Sequence, residues 1–596
     1  MLSALHTENS PFNEEQLGLL NRSLGTLDRA QSQWLSGFLA GRLGDSSPGS
    51  GANQVGVEPA LTILYGSETG NGEGLAQALA EQFEQSGISA QLESLDHFRP
   101  AGLKKLKHAV FIMSTHGEGD PPEEAVELFE YLASERAPRL EELSYRVLAL
   151  GDRSYEHFCA SGRELDERLK ALGATPFGER VECDVNYAAQ AGSWSLEIID
   201  HVKEHWVDST SAVATTRLSL VPSKPRWTRE DPYSAEVLKV QKITGDDSEK
   251  DIYHLELSLE ESGLEYQPGD ALGIWAPNDP DTVVEILSLL GLSSAESVKV
   301  DGRLGPLSKA LAEQRELTRL SADTIEAYAI AGDVSVLSDT FQSFDAQQRR
   351  EYIEQRQFAD LVKEFPAKIE AQALVDLLRP LAPRSYSISS SKTRVDEEVH
   401  LTVATLHSNG SGTQRTGVAS HYLNHRLTQG GQVKVFAEPN RRFHLPEDPN
   451  TPVIMIAAGT GIAPYRAFMQ EIEETGNARD SWLIFGNPHL RTDFLYQREW
   501  LNWRESGLLN RIDTAWSRDG SEKHYVQQVV SEQSERLARW LDRGAHIYIC
   551  GGIEMGQAVN EAIQQSLAIQ TGTTFEEAGV SLALLQRTKR IHKDLY

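Results

Sequence analysis

The chain has 596 residues, too many for one core, with 57 Lys and Arg against 87 Asp and Glu and a formal net charge of −30. So acidic a balance excludes the basic stripes that bind nucleic acid by releasing counterions, and it disfavours anionic membrane surfaces. The three cysteines, Cys159, Cys183 and Cys550, are far apart and lack Cys-x-x-Cys spacing, which argues against a disulfide framework or a metal cluster held by this chain.

Residues 14–42 read as amphipathic helices, with Leu17, Leu20, Leu24 and Leu27 at helical spacing. Residues 1–43 thus form a helical extension for docking or oligomerisation, followed by a Gly/Ser-rich linker at 44–59. The start lacks the regions of a signal peptide, and no apolar run reaches the roughly 18 residues of a membrane span, so a cytoplasmic protein is expected. Residues 60–207 alternate apolar runs with helical patterns. Strands are expected at Leu61–Tyr65, Ala90–Leu95, Ala109–Met113, Arg146–Leu150 and Phe177–Cys183, giving a parallel, doubly wound sheet of flavodoxin size. A polar linker follows at 208–227. Residues 228–447 read as a β-barrel, with strands at Glu236–Lys242, Ile252–Leu259, 266–275, Ser385–Ser389, His400–Leu406 and Gln432–Ala437. A helical insertion at about 280–380 interrupts it. Residues 448–596 return to α/β alternation, with strands at Val453–Ala457, Trp482–Phe485, Arg511–Ala515 and His546–Cys550.

Three loops leave the carboxyl end of the first sheet, where open parallel sheets bind ligands. In the first, Ser67, Glu68, Thr69, Gly70, Asn71 and Gly72 offer hydroxyls and an approachable backbone at a helix start, the arrangement a flavin mononucleotide phosphate needs. No Lys follows the glycines, so this is not a Walker loop. The second loop carries Ser114, Thr115, His116 and Gly117. The third carries Leu150, Gly151, Asp152, Ser154, Tyr155, Phe158 and Cys159, with Tyr155 placed to stack on the ring and Cys159 read as buried filler.

These loops, with Arg-Ser-Tyr-Ser at 384–387, Gly-Val-Ala-Ser at 417–420, Gly-Thr-Gly-Ile-Ala-Pro at 459–464, Ser517-Arg518 and the terminal Asp-Leu-Tyr, resemble the diflavin reductase family from about residue 60 to the end. The resemblance implies a flavodoxin-like FMN domain, an FAD-binding barrel with its helical insertion, and a ferredoxin-reductase-type NADP-binding domain, with electrons running from NADPH through FAD and FMN. FAD would be held by Thr318, Arg384, Ser385, Tyr386, Ser387, Thr402, Val403, Ala404, Gly417, Val418, Ala419, Ser420 and Tyr596. Arg384 offers a fork of donors to the pyrophosphate, and Tyr596 would cover the ring face where nicotinamide enters. The carried-over hydride-transfer group is Ser387, Cys550 and Asp594. NADPH would be held by Gly459, Thr460, Gly461, Ser517, Arg518, Lys523, Tyr525 and Gln527, the cations serving its 2′-phosphate. One departure is Gly552-Ile-Glu-Met555 after Cys550-Gly551, where the family has one more position before the Met. Within the family the chain is most similar to the branch whose partner is a sirohaem and iron–sulfur haemoprotein (beta) subunit reducing sulfite to sulfide. That branch forms large homo-oligomers, octamers. A general diflavin reductase for another haem acceptor, and a non-catalytic assembly subunit, are the rival readings.

Overall fold

The computed structural model describes residues 61–67, 70–115, 119–134, 136–153, 157–184, 187–206, 226–408 and 414–596. The chain divides into two units, Met1–Glu58 and Pro59–Tyr596, and all described residues belong to the second. The helices and linkers expected before residue 60 and at 208–224 lie outside the described residues.

The first sheet is built from β1 (Leu61–Gly66), β2 (Ala90–Ser94), β3 (His108–Ser114), β4 (Ser144–Leu150), β5 (Thr175–Pro176) and β6 (Val181–Cys183). Its order is β2-β1-β3-β4-β5, with β6 also on β4, and every pairing is parallel. The apolar runs of β1 and β3 are buried on both faces, as a parallel strand covered by helices requires. Of the strand expected over Phe177–Cys183 only β6 forms, with β5 just ahead of the expected range. At Gly178 the chain passes so close to Arg146 that a Cβ would lie 2.7 Å from its Nε. Arg146 also holds the Glu179 carbonyl at 3.2 Å, which breaks the ladder between β5 and β6.

The second sheet contains β7 (Tyr233–Lys242), β8 (Ile252–Ser258) and β9 (Ala271–Trp275). After the hairpin β10 (Ser297–Val300) and β11 (Arg303–Pro306) come β12 (Arg384–Ser387) and β13 (Glu398–Ala404), then the short pair β14 (His407–Ser408) and β15 (Arg415–Thr416), and β16 (Gln432–Glu438). Its order is β12-β9-β16-β7-β8-β13, all antiparallel. In place of a fully laddered barrel, this sheet curls until its two outer strands touch at one bridge, Ile388 to Leu401, where Ser389 N–H donates to the His400 carbonyl at 2.8 Å. β9 is shorter than the expected run because Gly269, at φ +105, turns against the Phe443 carbonyl, which a Cβ would meet at 2.2 Å. The insertion between β9 and β12 is helical from Pro280–Leu290 to Ala371–Leu377. It has its own core around Leu307, Leu311, Ile325, Tyr328, Phe358 and Leu374.

The third sheet holds β17 (Val453–Ala458), β18 (Ser481–Asn487), β19 (Arg511–Trp516), β20 (His546–Gly551) and β21 (Ile591–Leu595) in the parallel order β19-β18-β17-β20-β21. The pattern reading did not anticipate β21, and it matters most for the site, because it brings Asp594 into register with Cys550. The first sheet is tied to the remainder by ion pairs: Arg379 with Asp152 (2.8 Å) and Asp184 (3.4 Å), Arg153 with Asp323 (3.0 Å) and Lys589 with Asp96 (2.8 Å). Among the described residues no helix is long and apolar enough to cross a membrane.

Candidate functional site

On the first sheet, Ser67, Gly70 and Asn71 stand where β1 gives way to the helix Asn71–Gln85. Gly70 is left-handed at φ +82, a conformation that costs glycine little. Ser67 is buried, and its Oγ accepts the Gly72 N–H at 3.0 Å. A Cβ on Gly72 would crowd Ser67 Cβ at 3.1 Å and Ser114 Oγ at 3.3 Å, so the loops after β1 and β3 meet here. Thr115 N–H donates to the Leu150 carbonyl at 2.9 Å, bringing in the loop after β4. Thr115 Oγ1 is buried without a partner among the described residues, an atom that a bound ligand would satisfy. A helix start, three converging loops and this orphaned hydroxyl fit FMN.

Gly151 approaches so closely that a Cβ would lie 2.7 Å from Cys159 N. Cys159 is fully buried, with burial pushing its thiol up to about 12, so it packs and does not react. Phe158 is buried under the Arg153 guanidinium, 4.6 Å from the ring centroid. Glu68, Thr69, His116, Gly117, Ser154 and Tyr155 lie outside the described residues.

On the second sheet, Arg384 is gripped by Glu316 at 2.6 Å and by the Ala382 carbonyl at 2.7 Å. Burial works to raise the Glu316 pKa, but the charge and hydrogen bonds of Arg384, with those of Thr318, outweigh it and hold the carboxyl below its usual range. Thr318 donates to the same carboxylate at 2.8 Å and lines a cavity of about 200 Å³ that also touches Thr416 and Val418. Thr318 and the 417–420 turn therefore share one hollow, and Arg384 is linked to Thr318 through the Glu316 carboxylate. In the turn, Ser420 Oγ accepts the Leu406 N–H at 3.1 Å and Ala419 is buried. The hollow itself is also lined by Asp279, Asp281 and Glu285, and its Arg415 is paired with Glu285 and Asp360, so the donors suited to a dinucleotide's phosphates are Arg384, Thr318 and the 417–420 turn beside it, not the hollow as a whole. Tyr386 packs on the sheet core. Ser385 is exposed and its hydroxyl pairs with Glu438. The 402–404 segment is less available than expected. Thr402 Oγ1 is engaged with Tyr496 at 2.7 Å, Val403 is buried inside the sheet, and Ala404 packs toward the third sheet.

Where the second and third sheets meet, Ser387 Oγ donates to Asp594 Oδ2 at 2.7 Å and Cys550 Sγ lies 3.6 Å from the same oxygen. Burial raises the Asp594 pKa, and it lifts the Cys550 thiol well above its ordinary value. The Tyr596 N–H donates to the Gly551 carbonyl at 3.1 Å, and its hydroxyl meets Thr460 Oγ1 at 2.7 Å. The terminal residue as a whole is 59% exposed, yet burial raises the pKa of its phenol, so the aromatic lies over the crevice with its hydroxyl end tucked in and its chain end open.

The loop Gly459–Ile462 follows β17 and leads into the helix Ala463–Thr475. Gly461 must be glycine, since a Cβ would lie 2.1 Å from the Cys550 carbonyl oxygen. Gly551, at φ +147, and Gly552 start the helix Ile553–Thr571 cleanly despite the shortened segment. Ser517 and Arg518 are placed beside this loop by backbone bonds to Asn487 (3.1 Å) and Pro488 (3.0 Å). The Arg518 guanidinium holds the Glu249 carboxylate, which shows that it can reach an anion there. Lys523 and Tyr525 are exposed nearby and Gln527 is half-buried.

Two groups escaped the sequence reading. Lys250 Nζ lies 3.4 Å from where Gly459 would carry a Cβ, and Asn487 Oδ1, 4.0 Å from the same point, is buried without a partner among the described residues. Burial lowers the Lys250 pKa, with Asp493 opposing. The available signal was a lone cation in the polar turn between two β segments. Separately, His254, Glu256 and His400 gather potential ligand atoms within 4.8 Å of one another. They are already bonded to Tyr496 and Glu398, and Arg466 Nη1 sits 3.4 Å from His400 Nδ1, a poor neighbour for a cation.

The fold and these sites define a pyridine-nucleotide-dependent flavoprotein oxidoreductase with separate FMN and FAD domains. Family models agree: flavodoxin over residues 63–193, FAD binding domain over 225–328 and 332–422, and oxidoreductase NAD-binding domain over 455–561. The chain is 45% identical over 610 aligned positions to the "Sulfite reductase [NADPH] flavoprotein alpha-component" of Shewanella sp. (strain MR-4), covering all of both chains. It is 41% identical to that of Aliivibrio fischeri, again over all of both chains, and 40% to that of Bacillus subtilis over 99% of this chain and all of that one. The chain belongs to the family of sulfite reductase [NADPH] flavoprotein alpha-components.

Proposed function

We propose that this chain is the NADPH-oxidising component of a sulfite reductase, passing electrons from NADPH through FAD and FMN to a sirohaem and iron–sulfur haemoprotein (beta) subunit that reduces sulfite to sulfide. Bound FAD and FMN supply the redox chemistry, the conversion of an electron pair into single electrons. The residues supply binding and orientation. Ser67, Gly70, Asn71, Gly72 and Thr115 hold the FMN end. Arg384, Thr318 and the 417–420 turn hold the FAD phosphates, and Tyr386 lies alongside the ring. Gly459, Thr460, Gly461 and Lys250 receive the NADPH pyrophosphate, with Arg518 and Lys523 on its 2′-phosphate. Ser387, Cys550 and Asp594 orient the nicotinamide, and the Asp594 carboxylate favours the positive charge it acquires on oxidation. Tyr596 must yield for it to enter. In this reading the chain is organised as extension, FMN, FAD and NADPH domains with the boundaries expected above, is cytoplasmic, and assembles as an octamer through residues 1–43.

The observation that carries the reading is the Ser387–Asp594–Cys550 constellation, made by two sheets at the mouth of the glycine loop. The test is anaerobic titration of the purified chain with NADPH, followed by haemoprotein and sulfite. Bleaching of both flavins and sulfide formation are expected. Bleaching without transfer to the haemoprotein, but with transfer to another haem protein, would replace the proposed acceptor.

A further inference from the structure

The loop that opens the helix Asn71–Gln85 is braced from behind by a carboxylate. Glu124, in the short turn Glu123–Ala125, accepts the Ser67 N–H through Oε2 at 2.7 Å, and its Oε1 is paired with Arg442. Arg442 comes from a different layer. It lies in the turn Arg441–Phe443 after β16, and its carbonyl accepts from His592 Nδ1 at 2.6 Å on β21. The Glu124 side chain is only 12% exposed. Burial raises its pKa, and the Arg442 charge, followed by the Ser67 N–H, opposes that rise, so Arg442 is the largest single support of the carboxylate.

We propose that Arg442 is a positioning residue for the FMN site, contributed by the nucleotide-binding side of the molecule, so that FMN binding and docking of the first sheet are linked. The inference rests on reading residues 67–72 as the FMN phosphate loop. A phosphate at that helix start brings a second anion toward the loop that Glu124 braces, and two uncompensated anions repel in a partly buried site. Arg442 neutralises Glu124 only while the first sheet is docked. The docked arrangement therefore binds FMN more tightly, and by thermodynamic reciprocity FMN favours docking by the same factor.

The test uses the full chain, freed of FMN and titrated with it by flavin fluorescence, with retained FAD as the internal control. Arg442→Gln is expected to weaken FMN binding about 5-fold, the low end of typical coupling for a half-exposed cation, with FAD content unchanged and Arg442→Lys restoring most of the loss. In a Glu124→Gln background, Arg442→Gln is expected to have no further effect. Unchanged FMN affinity in Arg442→Gln, or an equal loss in both backgrounds, would overturn the linkage while leaving the FMN site intact. Gly72→Val separates the two ideas. It drives a side chain into Ser67 and Ser114 and is expected to abolish FMN binding, and full FMN binding by that variant would overturn the site reading itself.

Discussion

Ser387 and Cys550 converge on one carboxylate, and burial raises the pKa of Asp594. The sign of the linkage follows. A carboxyl whose folded pKa is raised stabilises the fold most below its unfolded pKa, and that contribution is lost as pH rises through the folded value. An ionised Asp594 therefore costs stability, and in the proposed function its carboxylate would be kept for the nicotinamide charge. Asp594→Asn is expected to lower NADPH-dependent ferricyanide reduction about 10- to 100-fold while leaving the thermal midpoint at pH 7.5 equal or higher. Unchanged turnover would remove Asp594 from the reacting group. The cations of the nucleotide site can be sorted in the same way. Lys250 lies at the glycine loop, which would meet the pyrophosphate common to NADPH and NADH, whereas Arg518 lies beside Ser517 at the end of β19. Lys250→Ala is expected to raise KM for both nucleotides by similar factors, and Arg518→Ala to raise it far more for NADPH. Steady-state kinetics with each nucleotide decides, and equal effects of Arg518→Ala on both would move the 2′-phosphate elsewhere.

β21 carries Asp594 and leads to Tyr596, and it is fastened by rings. His592 stacks on Tyr548 with centroids 4.3 Å apart, and its Nε2 is 2.9 Å from His546 Nδ1. The Arg442 carbonyl fixes the proton on His592 Nδ1, so Nε2 accepts and His546 Nδ1 donates, an arrangement that requires a neutral His592. Burial first, and for His546 also the neighbouring His592, bring both rings down to about 4. Their folded pKa values are depressed, so the stability they lend is full above about 6.5 and is lost as pH falls from there to about 4. Stability, and with it the thermal midpoint, should drop across that window, and His592→Gln should flatten the drop. An unchanged slope in the variant would show that the rings are not coupled to unfolding.

The same strand shows where the sequence was readable. β17 is buried from Val453 to Ala457 and β18 carries the buried apolar run Trp482–Phe485, and runs of that kind announce central parallel strands. β21 reads Ile-His-Lys-Asp-Leu, an edge strand with only Ile591 buried, and nothing in its local pattern separates it from a tail. Asp594 was placed by the terminal motif alone, and its register opposite Cys550 needed the fold. Lys250 was missed for a related reason, because its place beside Gly459 arises from packing the β7–β8 turn against a loop some two hundred residues later, which no local period encodes.

At the scale of the molecule, the first sheet is docked so that the loops assigned to FMN face the rest of the chain. Asp152 of the third loop is held by Arg379 at 2.8 Å, and Arg153 beside it by Asp323 at 3.0 Å. The Arg153–Asp323 and Lys589–Asp96 pairs are partly exposed, and exposed pairs contribute about 0–1 kcal/mol each and are screened by salt. These two pairs are weak enough to release, whereas the Arg379–Asp152 and Glu124–Arg442 pairs lie deeper, and the polar stretch 208–224 connects the first sheet to the second. Raising salt from about 0.05 to 0.5 M, where the Debye length falls below about 5 Å, should increase the radius of gyration measured by X-ray scattering, and Arg379→Ala should produce the same increase at lower salt. The docked arrangement can serve transfer from the FAD side to FMN, but it covers the loops that an external acceptor must approach. Removing about ten of the 17 residues at 208–224 would shorten the stretch that joins the first sheet to the second. NADPH-dependent ferricyanide reduction should then be preserved while electron delivery to the haemoprotein falls at least about 10-fold. If delivery to the haemoprotein is as fast in the shortened chain as in the intact one, the first sheet does not need to leave its docked position, and the acceptor must reach the FMN by a face that this contact leaves open.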